Sequence, residues 1–431
     1  MPATDHFKVR PTALDTEAQA ATDQATTQQQ TSTAMTASPP PADAFGQVPS
    51  SSRFAAFNTT TVKGLADVVD DQTTIVKTVA QGVKDSADGY RTADAQVAAE
   101  FEKLGSAAGA AVPATVASGS GQQVTGAFAD RINANRGAVQ TALTDEQAHL
   151  AGLRTQLAAD PDSSTLTKQV EESQRKVDLY GDVIANNRKI VTFDPTGNGR
   201  IVEMVGDINA DTRNVVVYTP GTFARMANEQ DAYDVVNSFV QASPDRSLAG
   251  FVYQDGDFPQ NLVTQAPDPS YSQAMAPRLA DFSHQLDAQV AANAPGADVK
   301  TTGMAWSYGA ATLGLADQQH ASFDREIYVE GAGMGHGVWN AGDLQSGVTR
   351  YAMTAPLDPI QATQGTEIFG IGHGADPDHF PGNIRLDTGD FTSGWPITWQ
   401  HDGWTQVHSD AWWNLYHAMT GGPVTSGGDV R

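Results

Sequence analysis

The chemistry this chain offers begins with one serine set between small neighbours. Val299-Lys-Thr-Thr-Gly-Met-Ala305-Trp306-Ser307-Tyr308-Gly309 leads from a strand-like stretch into an Ala-rich helical one. A serine placed between a strand and a helix sits on a sharp, strained turn. The residues two before and two after it must be small, because strand and helix cross closely there. Ala305 and Gly309 meet that demand. The hydroxyl becomes a useful nucleophile only beside a base, commonly a histidine held in the right tautomer by a carboxylate.

Both partners occur further along the chain. Asp358, in Ala355-Pro-Leu-Asp358-Pro, ends a late strand-like segment and is the expected acid, with Asp376, Asp378, Asp387 and Asp390 as competitors in the following loop. His408 directly precedes an aromatic helical stretch at 411–420 and is the expected base, with His401, His417, His373 and His379 as alternatives. Negative charge on a substrate oxygen needs preorganised N–H donors. The Tyr308 N–H at the helix start is one, and the loop after Asn214-Val-Val-Val-Tyr-Thr-Pro-Gly221 supplies the other, Thr222 being preferred to Phe223. Trp306 and Phe223 then belong to the substrate pocket, with Trp306 limiting what enters. His373, Asp378 and His379 have metal-ligand residue types, but Pro377 and the lack of an i, i+4 helical register argue against a dedicated metal there, and no cofactor is expected.

The elements that must position these residues follow from composition. The 431 residues allow two or three domains at about 150 residues each. Asp plus Glu number 50 against 26 Lys plus Arg, and the net charge of −24 argues against nucleic-acid or anionic-membrane binding. With no cysteine, disulfides and thiolate chemistry are excluded. No stretch holds the roughly 18 apolar residues of a membrane span, and the amino terminus MPATDHFKVR shows no apolar leader core. All seven Trp fall after residue 190, which places an expected boundary there.

Before that boundary the pattern is helical. Residues 12–36 and 51–104 read as helices around a Pro/Gly turn, 106–126 as a linker, and 127–159 and 164–190 as two more helices separated by Asp160-Pro161-Asp162-Ser163. After it, apolar segments at 201–205, 214–218, 249–253, 299–304, 326–329 and 350–354 read as strands, with helices near 228–241, 273–292 and 309–320. Strands alternating with helices predict a mostly parallel sheet covered on both faces.

Taken together, Phe193-Asp-Pro-x-Gly-x-Gly-Arg-Ile-Val, Val-Val-Val-Tyr-Thr-Pro-Gly-Thr, Trp306-Ser307-Tyr308-Gly309, Ala-Pro-Leu-Asp358-Pro-Ile and the late His408 resemble an actinobacterial α/β-hydrolase domain family over about 190–420. That family usually has Gly-His-Ser-Tyr-Gly at the elbow; here Ala305 and Trp306 replace the first two residues. The amino-terminal part, with Phe7-Lys-Val-x-Pro11, the Pro/Gly turn and Tyr90-Arg-Thr-Ala-Asp94, is similar to EspC-like helical hairpins exported by type VII (ESX) systems. In such substrates a Tyr-x-x-x-Asp/Glu pair is the secretion signal, which Tyr90 and Asp94 match, four residues apart on one helix face.

The resemblance implies an EspC-like hairpin at 1–105, a linker and second hairpin at 106–190, and an α/β-hydrolase fold at 191–425. It implies a secreted serine esterase or lipase acting through Ser307, His408 and Asp358 on ester or lipid substrates. Type VII machinery, with a helical partner or chaperone, would be its protein partner. Two rivals share these features: an exported binding protein whose hydrolase fold is blocked by Trp306, and an antibacterial toxin attacking phospholipids.

Overall fold

The computed structural model describes residues 19, 22, 26 and 29, and 127–427 apart from 244, 263, 357, 369, 390–400 and 402. Apart from those first four positions, the hairpin expected at 1–105, with Tyr90 and Asp94, lies outside the described residues, as does Asp390. The chain divides into two compact units, Met1–Ser118 and Gly119–Arg431.

Ten strands occur among the described residues of the second unit. They are β1 (Lys189–Asp194), β2 (Arg200–Val205), β3 (Asn214–Thr219), β4 (Leu248–Gln254), β5 (Lys300–Trp306), β6 (Arg325–Val329), β7 (Thr349–Met353) and the short β8 (Glu367–Ile368), β9 (Ile371–Gly372) and β10 (Ile384–Arg385). β8 and β9 pair as a separate two-stranded ribbon. The other eight form one sheet in the order β1-β2-β4-β3-β5-β6-β7-β10. β1–β2 and β2–β4 pair antiparallel, and every later neighbour in the large sheet is parallel.

The central strands are buried on both faces, so their residues are apolar in unbroken runs and sort alternately into two cores. Four helices cover them: α3 (Glu229–Ala242), α4 (Ser270–Asn293), α5 (Tyr308–Gln318) and α6 (Asp410–Thr420), which follow α1 (Phe128–Ala159) and α2 (Ser164–Ala185) in the chain. Val215, Val217, Ala249, Phe251 and Tyr253 pack with α4 and α5. Val216, Tyr218, Leu248 and Val252 pack with α3 and with α6, whose Trp412 and Leu415 are fully buried.

The expected boundary near 190 is not a boundary of packing. α1 and α2 belong to the same compact unit as the sheet. Phe128 stacks on Phe282 at 5.7 Å and meets Phe251 edge-on. Arg131 donates to Val191 O at 3.0 Å and to Thr192 Oγ1 at 2.7 Å, tying α1 to β1. Val139, Leu179, Tyr180 and Val183 share a core with Ile190, Ile201 and Met226. The helix expected to run to 190 stops at Ala185, where Asn187 turns the chain in a left-handed conformation (φ 53°), and residues 189–194 enter the sheet instead.

Candidate active site

Parallel strands deliver their carboxyl ends to one edge of the sheet, where open α/β sheets place their sites. Here three adjacent strands do so in register, with Trp306 paired to Val329 and Val329 to Met353. The residues that follow β5, β6 and β7 include Ser307, Glu330 and Asp358 respectively.

Ser307 has φ 54° and ψ −120°, a backbone conformation that costs an L-residue about 1–3 kcal/mol. Its N–H donates to Val329 O at 2.9 Å, and its carbonyl accepts from Ala310 and Ala332 N–H, so neighbours on both sides hold the turn. The small residues around it are required by contact. A Cβ at Gly309 would lie 2.4 Å from Pro220 O, and one at Gly221 would lie 2.7 Å from Ser307 Cβ. The loop after β3 therefore passes directly over the serine.

That loop also narrows the oxyanion assignment. Phe223 N–H donates to Pro259 O at 2.7 Å, and Asn228 Nδ2 donates to the Phe223 carbonyl at 3.0 Å, so the loop is pinned and the Phe223 N–H is occupied. Of the two loop donors weighed from sequence, Phe223 is therefore committed elsewhere. Tyr308 stands at the first position of α5, where main-chain N–H groups have no intrahelical partner. Its side chain is turned into the interior, donating to Asp268 O at 2.5 Å and accepting from Ser272 N at 3.1 Å.

The histidine at Asp358 is His401, not His408. His401 Nδ1 lies 2.8 Å from Asp358 Oδ2. Its carbonyl accepts from the indole Nε1 of Trp306 at 3.1 Å, and the two rings are 5.1 Å apart, which brings the imidazole to the residue next to Ser307. His408 instead is exposed, has φ 69°, and stacks on Trp413 at 5.6 Å. The next residue, Ser409, caps α6 by accepting from Trp412 N, which fixes His408 outside the helix on its aromatic surface.

Other histidines and acids weighed from sequence sit elsewhere. His373 is buried with Nε2 2.6 Å from Ala266 O, and burial lowers its pKa, favouring the neutral ring. His379 pairs with Asp376, Asp378 faces Arg385, and Asp387 caps Gly389, so these residue types do not converge. His417 lies on α6 beside Trp413.

A carboxyl that the sequence motifs do not single out completes the arrangement. Glu330, fully buried at φ 45°, accepts from Ala355 N–H through both oxygens at 3.0 Å and brings a carboxyl oxygen within 4.8 Å of one on Asp358. Burial, with Asp358 beside it, pushes Glu330 well above the usual carboxyl range. Burial also acts to raise Asp358, but hydrogen bonds from His401 and Glu330 outweigh it and hold that carboxyl below its usual value. Potential ligand atoms of Glu330, Asp358 and His401 lie within 4.8 Å of one another, so residue types alone would admit a cation. However, the direct 2.8 Å hydrogen bond between His401 Nδ1 and Asp358 Oδ2 joins two of these groups, and a cation placed between them would have to replace it.

A cleft of about 560 Å³ adjoins the elbow. Thr222, Phe223, Trp306 and Trp404 form part of its wall, with Asp231 and Asp234 also lining it and no Lys or Arg among the described residues that do. No described helix is long and apolar enough to cross a membrane.

Residues 194–367 match the profile of a protein family described as Alpha/beta hydrolase. No curated protein matches the chain. Among solved structures, it is similar to an α/β serine hydrolase without lid from Xanthomonas campestris, at 10% identity over 46% of this chain and 83% of that one, with a TM-score of 0.29. It is also similar to dienelactone hydrolase from Anabaena variabilis, at 13% identity over 51% of this chain and 95% of that one, with a TM-score of 0.31. A third, a dienelactone-hydrolase-like promiscuous phosphotriesterase from metagenomic libraries, is 15% identical over 54% of this chain and 98% of that one, with a TM-score of 0.27. Residues 194–367 of this chain thus carry an alpha/beta hydrolase domain.

Proposed function

We propose that the protein is a serine esterase in which Ser307 is the nucleophile, His401 the base and Asp358 the acid. The observation that carries this reading is the His401 Nδ1 to Asp358 Oδ2 hydrogen bond beside a serine strained at the end of a central strand. With its Nδ1 proton directed at Asp358, the imidazole presents a Nε2 lone pair to accept the serine proton. Ser307 Oγ attacks the ester carbonyl carbon, and its proton passes to His401. The oxyanion is held by the Tyr308 and Thr222 N–H groups. The C–O bond to the alcohol then breaks as His401 protonates the leaving oxygen, and water, activated by the same imidazole, releases the acid from the serine. A panel of nitrophenyl esters tests this. Turnover well above the uncatalysed rate supports it, and none across short, medium and long acyl chains contradicts it.

The cleft refines the expected substrate to neutral esters, including lipid or cell-envelope acyl esters. Among the described residues its lining includes two carboxylates and no cation, so an added carboxylate on the substrate meets like charge. Paired esters differing only by a free carboxylate should differ about tenfold in kcat/KM, or about 1.4 kcal/mol, in favour of the neutral one. Equal values would show that the acidic side chains do not face bound substrate.

Trp306 has two separable roles in this reading. Trp306→Ala should broaden the range of accepted acyl chains, because its indole forms part of the cleft wall. Trp306→Phe keeps an aromatic wall but loses the donor to the His401 carbonyl. Removing one such hydrogen bond, at about 1 kcal/mol, should lower kcat about fivefold with the chain-length profile retained. An unchanged kcat would mean that His401 is held without that bond.

Export through a type VII system is part of the same proposal and rests on the spacing of Tyr90 and Asp94. Replacing both by Ala should retain the protein in the cell while leaving esterase turnover of the purified protein unchanged. Normal release of the double variant from cells lacking the secretion ATPase would overturn this route.

A further inference from the structure

Two carboxyl groups in hydrogen-bond contact cannot both be ionised in a buried site without strong repulsion, and one proton between them removes the conflict. Glu330 and Asp358 form a close pair, both buried with carboxyl oxygens within 4.8 Å of one another, and their surroundings are unequal. Asp358 accepts from two other donors, His401 Nδ1 at 2.8 Å and Ile360 N–H at 2.7 Å. The Glu330 oxygens share a single donor, Ala355 N–H. A negative charge is better supported where more donors converge, so the shared proton belongs on Glu330. Asp378 adds a further negative field at Glu330, in the same direction.

We propose that Glu330 is a positioning residue that stays protonated and donates its carboxyl hydrogen to Asp358, holding the triad acid ionised and aimed at His401. The proposal rests on the Ser307–His401–Asp358 triad for its catalytic meaning, though not for the protonation state itself. Placement supports it. Glu330 follows β6, between the strands that lead to Ser307 and Asp358. It is held at φ 45°, a strained value for a residue with a long side chain. Its main-chain N–H donates to Met353 O at 2.7 Å, anchoring it to β7 just upstream of the loop that carries Asp358. Such a carboxyl acts on the reaction only through Asp358 and touches no reacting atom.

Infrared difference spectra of the full chain, wild type minus Glu330→Gln at neutral pH, decide the protonation state without requiring any turnover. The expected result is loss in the variant of a carbonyl band from a protonated carboxylic acid, shifted in deuterated water. Loss of an ionised carboxylate band instead would overturn the proposal. The positioning role is read from kinetics. Glu330→Gln keeps an N–H donor and should retain kcat within about threefold, whereas Glu330→Met, of similar length but with no donor, should lower kcat about 10–100-fold with KM little changed. Equal losses in both variants, or none in Glu330→Met, would overturn the positioning role. Absence of turnover even in the wild type would count against the esterase reading and leave the infrared result standing.

Discussion

Replacing Ser307 by Ala is expected to lower kcat by about 10⁴–10⁶-fold, the scale seen when a triad nucleophile is removed and only oxyanion and binding effects remain. The fold should survive the change. Ser307 is buried among backbone groups, and its structural hydrogen bonds run through its own main-chain N–H and carbonyl, which Ala retains. Its φ of 54° is strained for Ala as for Ser. Ser307→Gly should therefore be equally inactive but more stable by about 1 kcal/mol, because Gly adopts such a conformation without the Cβ penalty. Paired melting curves and ester assays separate the two effects. Residual activity within tenfold of wild type in Ser307→Ala would remove this serine from the mechanism.

The second large effect distinguishes two histidines seven positions apart. His401→Ala should reduce kcat by about 10⁴-fold, since it deletes the group that takes the serine proton and leaves Asp358 without its imidazole donor. His408→Ala should change kcat less than about twofold, because that ring is exposed and touches Trp412 and Trp413 on α6. The reverse pattern would restore His408 as the base and make the Asp358–His401 pair structural. His401→Gln is a useful companion, as it retains a donor to Asp358 but offers no comparable base; it should be as inactive as His401→Ala.

These residues are legible in the sequence to an uneven degree. Strands β3 and β4 stand out because central parallel strands are buried on both faces and so become unbroken apolar runs. The elbow is legible because its requirements are local: a strand, a serine between small residues, and a helix. Strand β1 is hidden because Lys189–Asp194 follows a helix without a strong breaker, and the left-handed turn at Asn187 gives no clear signal in residue type. The break near residue 190 misleads for a related reason. It records a change in composition, whereas Phe128 and Arg131 reach across it to Phe282 and Val191.

The choice of histidine is not legible at all. His401 and His408 both precede α6, and what separates them is tertiary: the Trp306 indole bonded to one backbone and the Trp413 ring stacked on the other side chain. His408 attracts the assignment because it adjoins a helix start, yet that position serves the Ser409 cap. Glu330 does carry a readable signal, an acidic residue at the end of an otherwise apolar strand segment, Ile-Tyr-Val-Glu330-Gly. Such a residue is costly to bury without a partner, and its partner is known only once β6 and β7 lie side by side.

The central claim is that Ser307 is an activated nucleophile, and covalent capture by a fluorophosphonate tests it most directly, independently of any choice of substrate. Wild-type protein should be labelled, with peptide mass spectrometry locating the adduct on Ser307. Labelling should be abolished in Ser307→Ala and His401→Ala and preserved in His408→Ala. A folded wild-type protein that takes up no probe, or an adduct mapped to another residue, would contradict the account.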